Sequence, residues 1–284
     1  MTDQTNQASS PTRFLAACVQ LRTGTDIDAN IEAASVLIRE AAANGADFIA
    51  TPETTALMEL GAKRLFANIV AEQDDRALKA FRALAHELDV HLLIGSLAVR
   101  VDEDKAANRS FLLSPAGEVM ARYDKIHMFD VDLGNGEVYR ESKNYQAGEE
   151  AVLASLPWGP LGLTVCYDLR FPHLYRKLAQ AGASVLAVPS AFTQGTGAAH
   201  WHVLMRARAI ETGCFVIAPA QGGSHENGRE TYGHSLIIDP WGGILAEAGV
   251  DPCVIMAEID PSQVVQARAK VPSLTHDRAI VGPV

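Results

Sequence analysis

Short apolar runs rich in Val, Ile, Leu and Phe recur along the whole chain, and their length restricts the fold more than any other feature. They include Phe14–Gln20, Asp47–Thr51, His91–Val101, Ser110–Ser114, Gly162–Tyr167, Ser184–Pro189, Cys214–Ala218, Ser235–Asp239 and Val254–Ile259. Runs of roughly 4–8 residues suit buried strands better than buried helices. Helical periodicity fills the gaps. Ile31, Ala34, Ile38 and Ala41 form one apolar stripe, with Asp28 near its start and Gly45 as a C-terminal stop. Leu78, Phe81, Ala85 and Leu88 form another. The alternation leads to a strand pair, Ser110–Ser114 and Glu118–Arg122, across Pro115-Ala116-Gly117. A long irregular stretch, Asp130 to Glu150, follows, and the alternation resumes from Gly162. Such a pattern predicts an α/β protein with buried sheets covered by helices. Gly and Pro are spread thinly between elements, so residues 13–284 are expected to form one domain after a polar tail, residues 1–12.

With 284 residues the chain has ample material for a large core. Its 24 basic and 34 acidic side chains leave a net charge of −10, a field that repels phosphate backbones and argues against nucleic acid as a partner. The polar start lacks the basic and apolar segments of a secretory signal. No stretch approaches the ~20 apolar residues of a membrane span. Cys18, Cys166, Cys214 and Cys253 are scattered, without the spacing of a zinc site, a redox pair or a disulfide framework. A reducing cytoplasm is the expected location.

Three strand ends carry reactive or charged groups. In Gly162-Leu-Thr-Val-Cys166-Tyr-Asp-Leu-Arg-Phe-Pro172 an apolar strand ends in a Cys, and Pro172 suits the first turn of a helix. A thiol beside backbone N–H groups and a helix dipole is expected to have a pKa lowered toward neutrality. A buried, inert core Cys fits the same motif equally well. Phe48-Ile-Ala-Thr-Pro-Glu53 places a carboxylate after an apolar run, and Arg122-Tyr-Asp-Lys125-Ile-His-Met-Phe129 places an ammonium among apolar neighbours. Both charges could equally be solvated loop groups, and spacing does not decide whether residues 53, 125 and 166 meet. His200 and His202 are two apart in a helical run and face different ways, which argues against a metal or catalytic His there. His173 and His234 read as surface or hydrogen-bonded histidines. Gly195-Thr-Gly197 suggests a phosphate-cradling loop, but His200 stands where a dinucleotide fingerprint needs its third glycine.

Taken together, Thr51-Pro-Glu53, Tyr123-Asp-Lys125-Ile-His-Met-Phe and Val165-Cys166-Tyr-Asp-Leu-Arg-Phe-Pro resemble, in order, three motifs of the nitrilase-like carbon–nitrogen hydrolase superfamily. The resemblance extends from about Arg13 to Arg278. It implies a four-layer α-β-β-α sandwich, a homodimer or higher homo-oligomer, and no metal or organic cofactor. It also implies roles: Cys166 as nucleophile, Glu53 as general base, and Lys125 with the Tyr167 backbone N–H as oxyanion donors. The second family glutamate is matched by Glu141 in Arg140-Glu141-Ser142, although Ala147-Gly148 replaces the usual Pro-Gly.

Tyr167-Asp168 follows the Cys where nitrilases proper have Trp-Glu, which disfavours nitriles. Pro189-Ser-Ala-Phe-Thr-Gln-Gly-Thr-Gly-Ala-Ala-His-Trp201 and Arg206-Ala-Arg-Ala-Ile-Glu211 are similar to the branch acting on amides of α-keto dicarboxylic acids. Ala220-Gln-Gly-Gly-Ser-His-Glu226 and Tyr232-Gly-His-Ser235 are most similar to deaminated glutathione amidases. The sister group, omega-amidase acting on α-ketoglutaramate, is the alternative, with N-carbamoyl amino acid hydrolysis and a catalytically silent scaffold as further ones. The implied partner is a small anionic amide. Arg170 is the candidate for its carboxylate, or else pairs with Asp168, and Phe192 and Thr193 are candidate pocket contacts. Gly222, Gly223 and Ser224 are expected to leave a channel for a dipeptide leaving group.

Overall fold

A computed structural model of the chain describes residues 13–134 and 136–282. The polar tail expected over residues 1–12 lies outside the described residues. From the start the chain runs β1 (Phe14–Gln20), α1 (Ile27–Ala43), β2 (Phe48–Ala50), α2 (Ala62–Asn68), α3 (Arg76–Leu88), β3 (His91–Arg100), β4 (Ala106–Leu113) and β5 (Val119–Asp124). Three short strands follow, β6 (Asp130–Asp132), β7 (Val138–Arg140) and β8 (Tyr145–Gln146). Next come β9 (Val152–Leu156), β10 (Gly159–Leu163), α4 (Pro172–Gln180), β11 (Val185–Ala187), α5 (Gln194–Thr212) and β12 (Phe215–Ala218). The chain closes with β13 (Gly222–Ser224), β14 (Glu230–Tyr232), β15 (Leu236–Ile238), β16 (Ile244–Glu247), β17 (Cys253–Ile259) and α6 (Ser262–Lys270).

The strands build two large sheets, one ordered β17-β1-β2-β3-β4-β5 and the other β16-β15-β12-β11-β10-β9. Alternate residues of β1 show how they stack. Phe14, Ala16 and Cys18 join the core shared with the second sheet, including Leu161, Val185, Val216 and Ile237. Ala17 and Val19 face the other way, onto Ile38 and Ala41 of α1 and Phe81 and Ala85 of α3. Helices α4 and α5 cover the far side of the second sheet through Leu174, Leu178, Met205 and Ala209. Strands buried on both faces read as continuous apolar runs, which is why they were legible. The result is the four-layer α-β-β-α sandwich.

Local chemistry sets the boundaries. Helix α1 is capped by Asp26, whose carboxylate accepts from the N–H groups of Asp28 and Ala29 at 2.9 and 3.1 Å, and Asp28 lies in the first turn, near the start as expected. Gly45 follows the helix with φ +88°, as a C-terminal stop requires. The stretch 130–150, expected to be irregular, is instead a hairpin of β6 and β7, a 3₁₀ turn over Glu141–Lys143, and β8 added to the side of β4. Two- and three-residue strands bearing Asp130, Asp132 and Arg140 give no apolar alternation to read. No helix among the described residues is long and apolar enough to cross a membrane.

Candidate active site

Backbone crowding at the end of β2 aims Glu53 inward. The Thr51 N–H bonds to Leu93 O at 2.9 Å and the Thr51 hydroxyl accepts from Gly95 N–H at 3.1 Å. The pairing of β3 with β4 is irregular between Ile94 and Leu97, and a Cβ at Gly95 would lie 2.1 Å from Thr51 O. Only glycine lets these segments pass so closely. Beyond Glu53 the chain turns through Thr54, a non-glycine residue at φ +56°.

Lys125 follows β5 directly, and Gly148 fixes its backbone by donating its N–H to Lys125 O at 2.9 Å. A Cβ on Gly148 would meet Asp124 O at 2.2 Å, so this glycine is required even though Ala147 precedes it. Cys166 opens a 3₁₀ turn over Cys166–Arg170 with φ +50°, a strained setting for a side chain. Asp168 locks that turn to the Lys125 segment. One of its oxygens accepts from the Tyr123 hydroxyl at 2.7 Å and Val165 N–H at 2.9 Å; the other accepts from His127 N–H at 3.0 Å and its ring at 2.7 Å.

These loops bring Glu53, Lys125, Glu141 and Cys166 to one cavity of about 240 Å³. The Lys125 ammonium donates to Glu53 at 2.9 Å and to both oxygens of Glu141 at 3.0 and 2.8 Å. Asn108, absent from the sequence expectation, donates to both carboxylates as well, at 2.9 and 3.1 Å. The remaining Glu53 oxygen accepts from Ala191 N–H at 2.9 Å, and Glu141 accepts from Phe129 N–H at 2.6 Å. Glu53 and Lys125 are 4% and 2% exposed, so neither is a solvated loop charge.

Burial of this depth disfavours charge, but the neighbours outweigh it for the ion pair. Glu53 is held below the ordinary carboxylate range because Lys125 and a hydrogen bond from Cys166 overcome desolvation. Lys125 is held well above its ordinary value, since Glu141 and Glu53 overcome desolvation there too. Cys166 goes the other way from the expectation. Burial, then the negative charge of Glu53, push the thiol far above its ordinary range. The lowering by a helix dipole fails because α4 begins only at Pro172, after the 3₁₀ turn. The resting sulfur is a thiol poised against a carboxylate. The Tyr167 N–H, one residue on, makes no backbone hydrogen bond among the described residues, as expected in the first turn of a 3₁₀ helix.

Tyr167, Arg170, Phe192 and Thr193 line the same cavity. Arg170 does not pair with Asp168, whose oxygens are already taken. Its guanidinium lies over the rings of Tyr167 and Phe192 at 5.8 and 5.4 Å, with one nitrogen 3.3 Å from His200. Another arginine, Arg229, lines the same cavity, 5.6 Å over the Tyr139 ring. It donates to Ala191 O, and its buried Nε has no partner. Nothing in a polar loop such as Glu226-Asn-Gly-Arg229 signals this role. Gly222, Gly223 and Ser224 correct another expectation: they form β13 against β14 and do not line the cavity. A Cβ on Gly222 would meet Val250 O at 2.2 Å, so its smallness serves packing. Gly197 of the glycine pair after β11 likewise packs against the Tyr232 ring.

Known proteins share the sequence pattern and the fold. Residues 15–269 match the sequence model of the Carbon-nitrogen hydrolase family. The chain is 42% identical over 268 residues to the deaminated glutathione amidase of Synechocystis, covering 93% of this chain and 97% of that protein. It is 37% identical over 269 residues to the human deaminated glutathione amidase, covering 93% and 82%. The crystal structure of the C. elegans NitFhit protein superposes with a TM-score of 0.87 at 34% identity, covering 95% of this chain and 66% of that one.

Proposed function

Because the chain belongs to the carbon–nitrogen hydrolase family and is an amidase, we propose that it cleaves deaminated glutathione through a thioester on Cys166. The observation that carries this reading is the meeting of Cys166, Glu53 and Lys125 in a cavity that three arginines also line. Its ionic side chains are Lys125, Arg140, Arg170 and Arg229 against Glu53, Glu59 and Glu141, four cations against three anions. That local excess suits an anionic substrate despite a net charge of −10 for the chain.

In the first step Cys166 sulfur bonds to the amide carbon while its proton passes to Glu53. The carbonyl electrons move to oxygen, where Lys125 and the Tyr167 N–H donate to the new anion. Glu53 then returns the proton to the departing nitrogen as the carbon–nitrogen bond breaks. Water, deprotonated by Glu53, attacks the thioester; the carbon–sulfur bond breaks and the thiolate recovers the proton. Glu141 and Asn108 hold Lys125 and Glu53 in place. The cycle balances with the chain's own groups and water.

Deaminated glutathione carries two carboxylates, one on the keto acid and one on the leaving peptide, whereas α-ketoglutaramate carries one. Arg170, stacked on Tyr167 and Phe192 near the nucleophile, suits the keto-acid end, with Thr193 beside it. Arg229, held at Ala191 O, suits the second carboxylate. Polar solubility, a cytoplasmic location, one domain over residues 13–284 and a homo-oligomer complete the reading. The test is kcat/KM for deaminated glutathione, α-ketoglutaramate and an N-carbamoyl amino acid. Arg170→Ala should cost the first two similarly, about 1.5–3 kcal/mol, and Arg229→Ala should penalise deaminated glutathione more. A tenfold or greater wild-type preference for α-ketoglutaramate would assign the chain to omega-amidase.

A further inference from the structure

His202, His234 and Glu247 converge from three separate elements. His202 lies on α5, His234 precedes β15 and Glu247 ends β16. One Glu247 oxygen sits 2.9 Å from His202 Nε2 and 3.0 Å from His234 Nδ1. The ligand atoms of all three residues lie within 4.8 Å of one another. We propose that these residues form a site for a zinc-class divalent cation, separate from the amide-cleaving centre.

The donor set and spacing carry the proposal. Two imidazoles and one carboxylate are a recognised tridentate set for zinc, with a fourth position left for water. Bonds of 2.0–2.1 Å around a tetrahedral ion separate ligand atoms by about 3.3 Å, so the two measured separations need open only by a few tenths of an ångström. The side chains are 30%, 26% and 38% exposed, enough for an ion to enter.

The surroundings hold the ligands in advance. His234 adopts φ +54°, stacks on the Tyr232 ring at 4.4 Å, and its carbonyl accepts from the Trp201 indole at 2.7 Å. His202 meets both rings edge-on, at 5.9 Å from Tyr232 and 5.6 Å from His234. Pre-set rings lose little freedom on binding. Binding requires each ring to turn its lone pair toward the ion, moving its N–H to the other nitrogen, with no net proton change for neutral imidazoles. A bound ion would clip α5 to the β15–β16 edge.

The test is a Co²⁺ titration of full-length Cys166→Ala, which removes the active-site thiol as a competing ligand. One equivalent should bind, giving weak visible bands without the intense near-ultraviolet band of a thiolate complex. His202→Gln and Glu247→Gln should each weaken binding by more than about tenfold, and His234→Asn should do the same while tolerating the left-handed backbone. Far-ultraviolet circular dichroism would show that each variant is folded, and Zn²⁺ should raise the thermal midpoint of the parent but not of a folded variant. Absence of stoichiometric binding, a thiolate band, or unchanged affinity in all three variants would overturn the site.

Discussion

In the proposed mechanism a single proton at Cys166 determines the chemistry. The buried thiol beside Glu53 has its pKa raised, while that of Glu53 is lowered, so the resting pair is thiol and carboxylate. The kcat/KM profile should therefore lack a rise near pH 8.5, the ordinary thiol value. Its acid limb should fall below about pH 4.3, the ordinary glutamate value. Because Glu53 titrates lower when folded, its charge contributes stability above the unfolded value, and that contribution is lost as pH falls through the folded one. Stopped-flow or initial-rate profiles from pH 4 to 9.5 would reveal a thiolate mechanism as an alkaline rise. Cys166→Ala should abolish turnover, and Cys166→Ser should be nearly inactive because a hydroxyl ionises far less readily. Glu53→Gln should slow both acylation and thioester hydrolysis.

Turns, more than sheets, place the proposed catalytic groups. Asp168 ties the 3₁₀ turn of Cys166 to the segment after β5, and Arg208 of α5 pins that turn through Leu169 O at 3.0 and 2.6 Å. Asp168→Ala would strand the Tyr123 hydroxyl and the N–H groups of Val165 and His127. At about 1–3 kcal/mol for each buried unsatisfied donor, the loss should reach about 3 kcal/mol or more in denaturant unfolding. A loss under 1 kcal/mol would contradict the locking role. Asp168 was visible in the sequence only as a neighbour of Cys166. Its partners Tyr123 and His127 lie more than 40 residues away, and no spacing rule connects them. The strands at the sheet centres were legible because burial on both faces leaves an unbroken apolar record. The 130–150 hairpin left no such record, and Asn108 looked like one more polar residue within β4.

For the whole molecule, the three motifs made the architecture and the core of the site readable, while Arg229 depended on a fold-back that a local pattern does not encode. One face carries apolar side chains that water should not retain: Val203 and Ile210, two turns apart on α5, and Trp241, just before β16, are 56–69% exposed. They are neighbours, since a Cβ on Gly242 would touch Ile210 and Lys270 lies over the Trp241 ring. The homo-oligomer we propose would cover this face. Light scattering coupled to gel filtration should give a mass of at least two chains, and Ile210→Glu with Trp241→Glu should reduce it to one. A monomeric wild-type chain would refute the assembly.

The closing strand β17 lies against β1 over all seven residues, Phe14 opposite Ile259 and Gln20 opposite Cys253. A ribosome thus releases β1, which ends at Gln20, long before its outer neighbour, which begins at Cys253. During that interval a flat, apolar edge, Phe-Leu-Ala-Ala-Cys-Val-Gln, is open to any other strand. Synthesis rate and chaperone supply should therefore govern soluble yield, and a chain stopped before Cys253 should accumulate as aggregate.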